Sequence, residues 1–154
     1  MITTTNAWGT GPDGKELKLF TFQNSHGTSV SVTNYGAIIT SIRTIDASGV
    51  FSEIALGFDR AADYLSDNYI ANCPYFGCIA GRYANRIAKG RFTLEGNTYT
   101  LAVNNGGNAL HGGIRGFDKQ VWDGQMIETP EGKGVELSYL SQHLEEGYPG
   151  NLKV

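Results

Sequence analysis

Cysteine is scarce: the 154 residues contain two, Cys73 and Cys78. Two thiols cannot build a disulfide framework, and their spacing is not the Cys-x-x-Cys of a redox or zinc motif. They also lack partner ligands for zinc, so no metal site is expected. Free thiols fit a reducing setting. Excess positive charge is missing as well. The formal net charge is -3, which leaves no electrostatic footprint for nucleic acid. No apolar run approaches the ~20 residues of a membrane-crossing helix, so no membrane partner is expected. Residues Met1 to Asn6 carry neither the basic stretch nor the apolar core of a secretory leader, and cytoplasmic residence is the default expectation. There is no glycine-rich phosphate loop, Gly-x-Ser-x-Gly elbow or His-Glu-x-x-His helix. Internal repeats, linkers and low-complexity segments are also absent.

What the chain has in quantity is glycine and aromatic rings. Its 21 glycines are about double the usual ~7% share. With 8 Tyr and 7 Phe beside them, they point to a turn-rich β protein. Hydrophobic residues make up 40% and charged ones 18%, a globular composition. The length suits one domain or part of a larger one.

Apolar alternation predicts the elements. Leu17 to Phe22 and Val30 to Val32 flank the turn cluster Asn24-Ser25-His26-Gly27 and read as a hairpin. Ala37 to Ile45 reads as a strand, and Ile54 to Leu56 as a short buried one. Asp59 to Ser66 is the single helical candidate, with Asp59 as its cap. The aromatic and polar run after it reads as loop, and Phe76 to Ala80 as a buried segment. Arg91 to Glu95 and Thr98 to Val103 alternate on either side of Gly96-Asn97, which predicts a hairpin with a II′ turn. Val121 to Glu128 and Val135 to Leu140 read as two more strands around Pro130 to Gly134. Asn151 to Val154 opens a last strand, inside which the chain stops. Many short strands with little helix predict an all-β fold, a sandwich or barrel.

One stretch, Gly81 to Gly113, gathers the polar groups suited to a hydroxyl-rich ligand. His111 stands before Gly112 and Gly113, which would let a ligand approach the backbone. It is either a proton donor and acceptor or a turn histidine bound to backbone. Arg86 either spans two neighbouring hydroxyls with its planar fork or forms an ion pair. Arg82, four residues earlier, would share its face in a strand, with Asn85 pointing the other way unless the backbone bends. His26 reads as solvated. His143 reads as structural, within reach of Glu145 or Glu146, and these two carboxylates read as a solvated loop.

Five segments together resemble the aldose 1-epimerase (galactose mutarotase) family. They are Thr33-Asn34-Tyr35-Gly36-Ala37, Leu56-Gly57-Phe58, Gly81-Arg82-Tyr83-Ala84-Asn85-Arg86-Ile87, Asn108-Ala109-Leu110-His111-Gly112-Gly113 and Glu145-Glu146-Gly147-Tyr148-Pro149-Gly150. The resemblance implies a large antiparallel β-sandwich, of which residues 1–154 are the N-terminal portion, truncated inside a strand. It implies an isomerase of hexose metabolism that interconverts the α and β anomers of aldohexoses such as galactose and glucose. In that chemistry a carboxylate takes the C1 hydroxyl proton while a histidine protonates the ring oxygen; no cofactor is needed. By the same resemblance Asn85 and Arg86 bind sugar hydroxyls, and His111 sits near the ring oxygen and assists the proton chemistry. The family's glutamate base and second histidine lie beyond residue 154, so the chain alone is expected to be nearly inactive. A complementing C-terminal segment would then be its partner. The competing readings are a non-catalytic carbohydrate-binding module on the same fold, or a sheet completed by another chain.

Overall fold

The sheet at the start of the chain is laid down strand by strand. In the computed structural model, which describes residues 1–154, β1 (Ile2–Thr10), β2 (Glu16–Gln23), β3 (Ser29–Thr33), β4 (Ile39–Ile45) and β5 (Phe51–Glu53) pair antiparallel in sequence order. Leu17 and Phe20 of β2 fall on opposite faces, and both are buried. Leu17 packs with Tyr35, Ile38, Ala61, Tyr64 and Val121. The Phe20 ring lies beside Gly124, so the sheet is covered on both sides at this strand. The expected hairpin is β2–β3. β1 has no counterpart in the expectations, because its threonine run is polar on both faces and shows no alternation.

Two apolar segments depart from expectation. Ile54 and Leu56 form no buried strand; they are 64% and 73% exposed. The Glu53 side chain ends β5 early. Its carboxylate accepts the amides of Ile42 and Ala55 at 2.7 and 2.9 Å and the Ser41 hydroxyl at 2.5 Å, so a side chain replaces the next ladder partner. Phe76 to Ala80 lies at the sheet end through Ile39 N–H to Gly77 O and Ile79 N–H to Gly36 O, and none of it is fully buried.

The helical candidate divides in two. α1 (Ala61–Tyr64) starts from Arg60, not Asp59, and has no side-chain cap. α2 (Asp67–Asn72) occupies the run expected as loop, and Ser66 Oγ caps it by accepting the Tyr69 amide at 3.2 Å. No helix is long and apolar enough to cross a membrane.

The remaining strands form two-stranded ribbons: β6 (Arg86–Ala88) with β9 (Asn108–Leu110), β7 (Arg91–Leu94) with β8 (Asn97–Thr100), β10 (Asp123–Thr129) with β11 (Gly132–Ser138), and β12 (Leu140–Ser141) with β13 (Leu152–Lys153). The β7–β8 hairpin lies where expected, with its turn one residue earlier. Leu94 pairs with Asn97, and Glu95 and Gly96 have φ of 51° and 78°, the pattern of a I′ turn. Phe117 and Trp122 pack with Ala37 under the β10–β11 ribbon, while Leu101, Ala109 and Tyr148 form a third apolar cluster. The architecture is an all-β sandwich with little helix. It is also open. The chain exposes 9032 Å², against about 7,600 Å² for a compact protein of its mass.

Candidate functional site

Pairing of β6 with β9 sets Arg86 opposite Leu110. The residues just outside the ladder, Asn85 and His111, therefore fall side by side. Each lies in the left-handed region, with φ of 63° and 48°, which Asn and His adopt more readily than most residues. The His111 amide donates to Asn85 O at 3.0 Å, and the Asn85 amide donates to His111 Nδ1 at 3.0 Å. A backbone amide can only donate, so Nδ1 is the acceptor and the neutral ring carries its proton on Nε2. Nε2 has no partner within the protein. The imidazole thus offers one free donor of defined position.

Arg86 stands next to it. Nη1 donates to Asn85 Oδ1 and Nε to Asn105 Oδ1, each at 3.1 Å. It forms no ion pair, and Nη2 stays free. Two amide oxygens therefore aim an exposed guanidinium. An open basin of about 410 Å³ beside Arg86 is lined by Tyr83, Ile87, Phe92 and Tyr148.

Arg82 has a different task. The left-handed Asn85 breaks the strand, so the two arginines share no face. Arg82 Nε donates to Ser141 Oγ at 2.7 Å. Nη1 donates to the carbonyls of Pro149 and Gly150 at 2.9 and 2.8 Å. Nη2 donates to those of Ser141 and Gln142 at 3.0 and 2.6 Å. All five guanidinium donors are used, and none is left for a ligand.

The two glycines after His111 also serve the fold. A Cβ on Gly112 would lie 1.8 Å from Gly81 O, and one on Gly113 would lie 2.1 Å from Glu146 Oε2. The chain itself fills the space that the sequence reading reserved for a ligand. The Glu145–Glu146 loop is likewise braced rather than merely solvated. Glu146 accepts the Ile114 amide at 2.7 Å, and Glu145 accepts the Tyr139 and Ser141 hydroxyls and the Gln120 amide. His143 pairs with neither carboxylate; its Nδ1 accepts the Gly150 amide at 2.8 Å. His26 is exposed, as expected.

Sequence reasoning missed Tyr75 and Asn105. The Tyr75 ring lies 4.5 Å from the His111 ring, tilted by 56°. Its backbone is left-handed too, with φ of 57°, and burial followed by the negative charge of nearby groups pushes its hydroxyl above the usual range. Lys119 Nζ lies 5.4 Å from the Tyr75 ring centre, a cation–π distance. Burial works to lower the Lys119 pKa, but the hydrogen bond and charge of Asp118 outweigh it and hold it raised. Asn105 lies in a glycine-rich turn that carried the signal of a turn and nothing more. Tyr75 follows a proline and had no signal at all.

Residues 18–154 match the family model of aldose 1-epimerase. The chain belongs to the aldose 1-epimerase family. Galactose mutarotase of Bos taurus is 48% identical over 125 residues, which are 81% of this chain and 34% of that protein. The Sus scrofa galactose mutarotase is 43% identical over 152 residues, 98% of this chain and 42% of that one. Aldose 1-epimerase of Escherichia coli K12 is 36% identical over 141 residues, covering 92% and 38%. The crystal structure of galactose 1-epimerase from Lactobacillus acidophilus NCFM superposes with a TM-score of 0.80 at 29% identity, over 99% of this chain and 42% of that one. The chain therefore spans between 34% and 42% of the length of these aldose 1-epimerases and mutarotases.

Proposed function

We propose that this chain forms the sugar-gripping wall of a mutarotase that interconverts the α and β anomers of aldohexoses such as galactose and glucose. The observation that carries this reading is the Asn85–Arg86–His111 group. It presents a free Nε2–H and a free Nη2 from side chains that the protein itself has already oriented. In this reading Arg86 spans two neighbouring sugar hydroxyls, Asn85 Nδ2 adds a third donor, and the His111 Nε2–H faces the ring oxygen.

Ring opening needs a base for the C1 hydroxyl proton and an acid for the ring oxygen. Rotation about C1–C2 and closure on the other carbonyl face then exchange the anomers. Only protons move, and no cofactor enters the scheme. No carboxylate hydrogen-bonds Asn85, Arg86 or His111. A complementing C-terminal segment supplies the base and a second histidine in this proposal. Support comes from the excess exposed surface and from an open apolar groove of about 410 Å³ lined by Ile39, Ile42, Ala55, Leu56, Tyr75 and Phe76. A missing general base forfeits about 10²–10⁴-fold in rate, so the 154-residue chain alone turns over little sugar. The free thiols suit a reducing, cytoplasmic setting.

Two measurements test the reading. Titrating galactose while recording NMR spectra of the chain should give saturable shifts around Arg86 and His111, lost in Arg86→Ala. Polarimetry of fresh α-galactose should show conversion at the buffer rate. No binding sinks the sugar site; conversion well above buffer sinks the need for a complementing segment. Binding without turnover in a longer chain carrying this segment would favour the carbohydrate-binding module.

A further inference from the structure

Outside the hydrogen bonds of the sugar group lies a second cluster, built on Cys73, Asp118 and Lys119. Cys73 ends α2 with a left-handed backbone, φ 32°. Its Sγ lies 3.4 Å from Lys119 Nζ and 3.6 Å from Asp118 Oδ2, and those two groups lie 2.5 Å from each other. The Asp118 side chain is 6% exposed, and its second oxygen, Oδ1, is buried without a partner. A cavity of about 10 Å³ touches all three residues, room for roughly one water-sized atom. The sulfur is thus held between a cation that can donate a proton and a carboxylate with acceptor capacity to spare.

The other thiol provides an internal contrast. Cys78 donates to Tyr75 O at 3.5 Å, and no lysine hydrogen-bonds its sulfur. Burial, and then the charge of Asp118, pushes its pKa up to about 12. A thiol in such surroundings is inert toward oxidants, whereas a partly exposed thiol beside a lysine is the kind that reacts.

We propose that Cys73 is an oxidation site, converted by a peroxide to the sulfenic acid with Lys119 as proton donor, and that the change is relayed through Tyr75 to His111. The reaction is Cys73–SH + HOOH → Cys73–SOH + H₂O. The thiol proton passes to Asp118 Oδ2. Sulfur then attacks one peroxide oxygen, the S–O bond forms and the O–O bond breaks, and two electrons leave sulfur for the peroxide. The departing hydroxide takes a proton from Lys119 Nζ and leaves as water; Asp118 returns its proton to Lys119. A thiol reductant reverses the change.

The relay is a set of contacts. Lys119 is the cation facing the Tyr75 ring, and that ring packs on the His111 imidazole. A new oxygen on Cys73 competes for Lys119 and draws it from Tyr75. The chemistry at sulfur stands apart from the sugar reading; only its meaning for turnover rests on that reading.

The test uses the full chain, hydrogen peroxide, a dimedone trap and peptide mass spectrometry, with the His111 ring followed by NMR. Dimedone should label Cys73 at least about tenfold faster than Cys78, because only Cys73 has a lysine against its sulfur. Lys119→Met should slow Cys73 labelling at least about tenfold through loss of the proton donor, and Lys119→Arg, which keeps the charge but holds its proton, should not restore it. The His111 ring signals should shift with the time course of oxidation and stay still in Cys73→Ser. Equal labelling of both thiols, or a rate indifferent to Lys119, overturns the site. Oxidation of Cys73 with unmoved His111 signals overturns the relay. Galactose titration of untreated protein reports on the sugar reading separately.

Discussion

Asn85 and His111, 26 positions apart, hold each other twice, His111 N–H to Asn85 O and Asn85 N–H to His111 Nδ1, both at 3.0 Å. The imidazole is therefore oriented by a backbone amide and not by a carboxylate. The Asn85 side chain is left for a separate task, aiming Arg86.

That separation is testable at Asn85. Asn85→Gly keeps the backbone ties and removes the acceptor of Arg86 Nη1, so galactose affinity falls while the His111 ring signals stay in place. Asn85→Ala does the same and adds a left-handed alanine, about 1–2 kcal/mol. Urea unfolding should rank Gly above Ala; equal midpoints would contradict the strain at this residue.

Arg82→Lys keeps the charge and loses the planar fork that reaches four carbonyls and a hydroxyl. Stability should drop by about 3 kcal/mol, the upper end for hydrogen bonds to a charged group. A change under ~0.5 kcal/mol in a urea melt, typical of an unimportant surface site, would mean that the five contacts are incidental.

Tyr64 has 0% exposure and its hydroxyl accepts the Phe58 amide at 3.0 Å. Tyr64→Phe preserves the ring packing against Trp8, Phe58 and Tyr69 and leaves that amide unpaired. The expected loss is about 1–3 kcal/mol, read from thermal unfolding. An unchanged transition would show that water replaces the hydroxyl.

Glu53 sets a pH dependence. Burial alone would raise its pKa, but the Ser41 hydroxyl and the amides of Ile42 and Ala55 outweigh burial and hold it below the ordinary 4.5. The folded value lies below the unfolded one, so the contribution is complete above 4.5 and disappears as pH falls through the folded value. Glu53→Gln should melt earlier than the parent at neutral pH, with the gap closing in acid. A gap independent of pH would rule out this carboxylate as the source.

The parts legible in the sequence were those with a regular apolar pattern. β7–β8 and β10–β11 alternate because one side is apolar and the other wet, and β2 shows through its concentration of apolar residues, with Leu17 and Phe20 buried on opposite faces. β1 gave no such signal, since Thr3, Thr4 and Thr5 suit either side. Ile54, Leu56 and Ile79 misled because apolar residues normally seek cover, and here they line open surface. At the candidate site the residue types marked Asn85, Arg86 and His111. Their mutual ties were hidden, because left-handed backbone at two loop ends leaves no periodic trace. The same blind spot made Arg82 and Arg86 look alike, though one is saturated by backbone carbonyls and a hydroxyl and the other keeps Nη2 open. Tyr75 reaches His111 across 36 positions of chain, with no local pattern to announce it.

The saturated guanidinium also says something about time. Its partners lie 59 to 68 positions further along the chain, whereas β2 and β3 meet across a short turn. Contacts that close long loops wait for that closure entropy to be met. The docking of residues 141–150 on Arg82 therefore comes late, after the N-terminal sheet has formed. The residues proposed to grip the sugar close much shorter loops, 26 positions for Asn85–His111 and 19 for Arg86–Asn105, so their mutual ties do not wait for that docking.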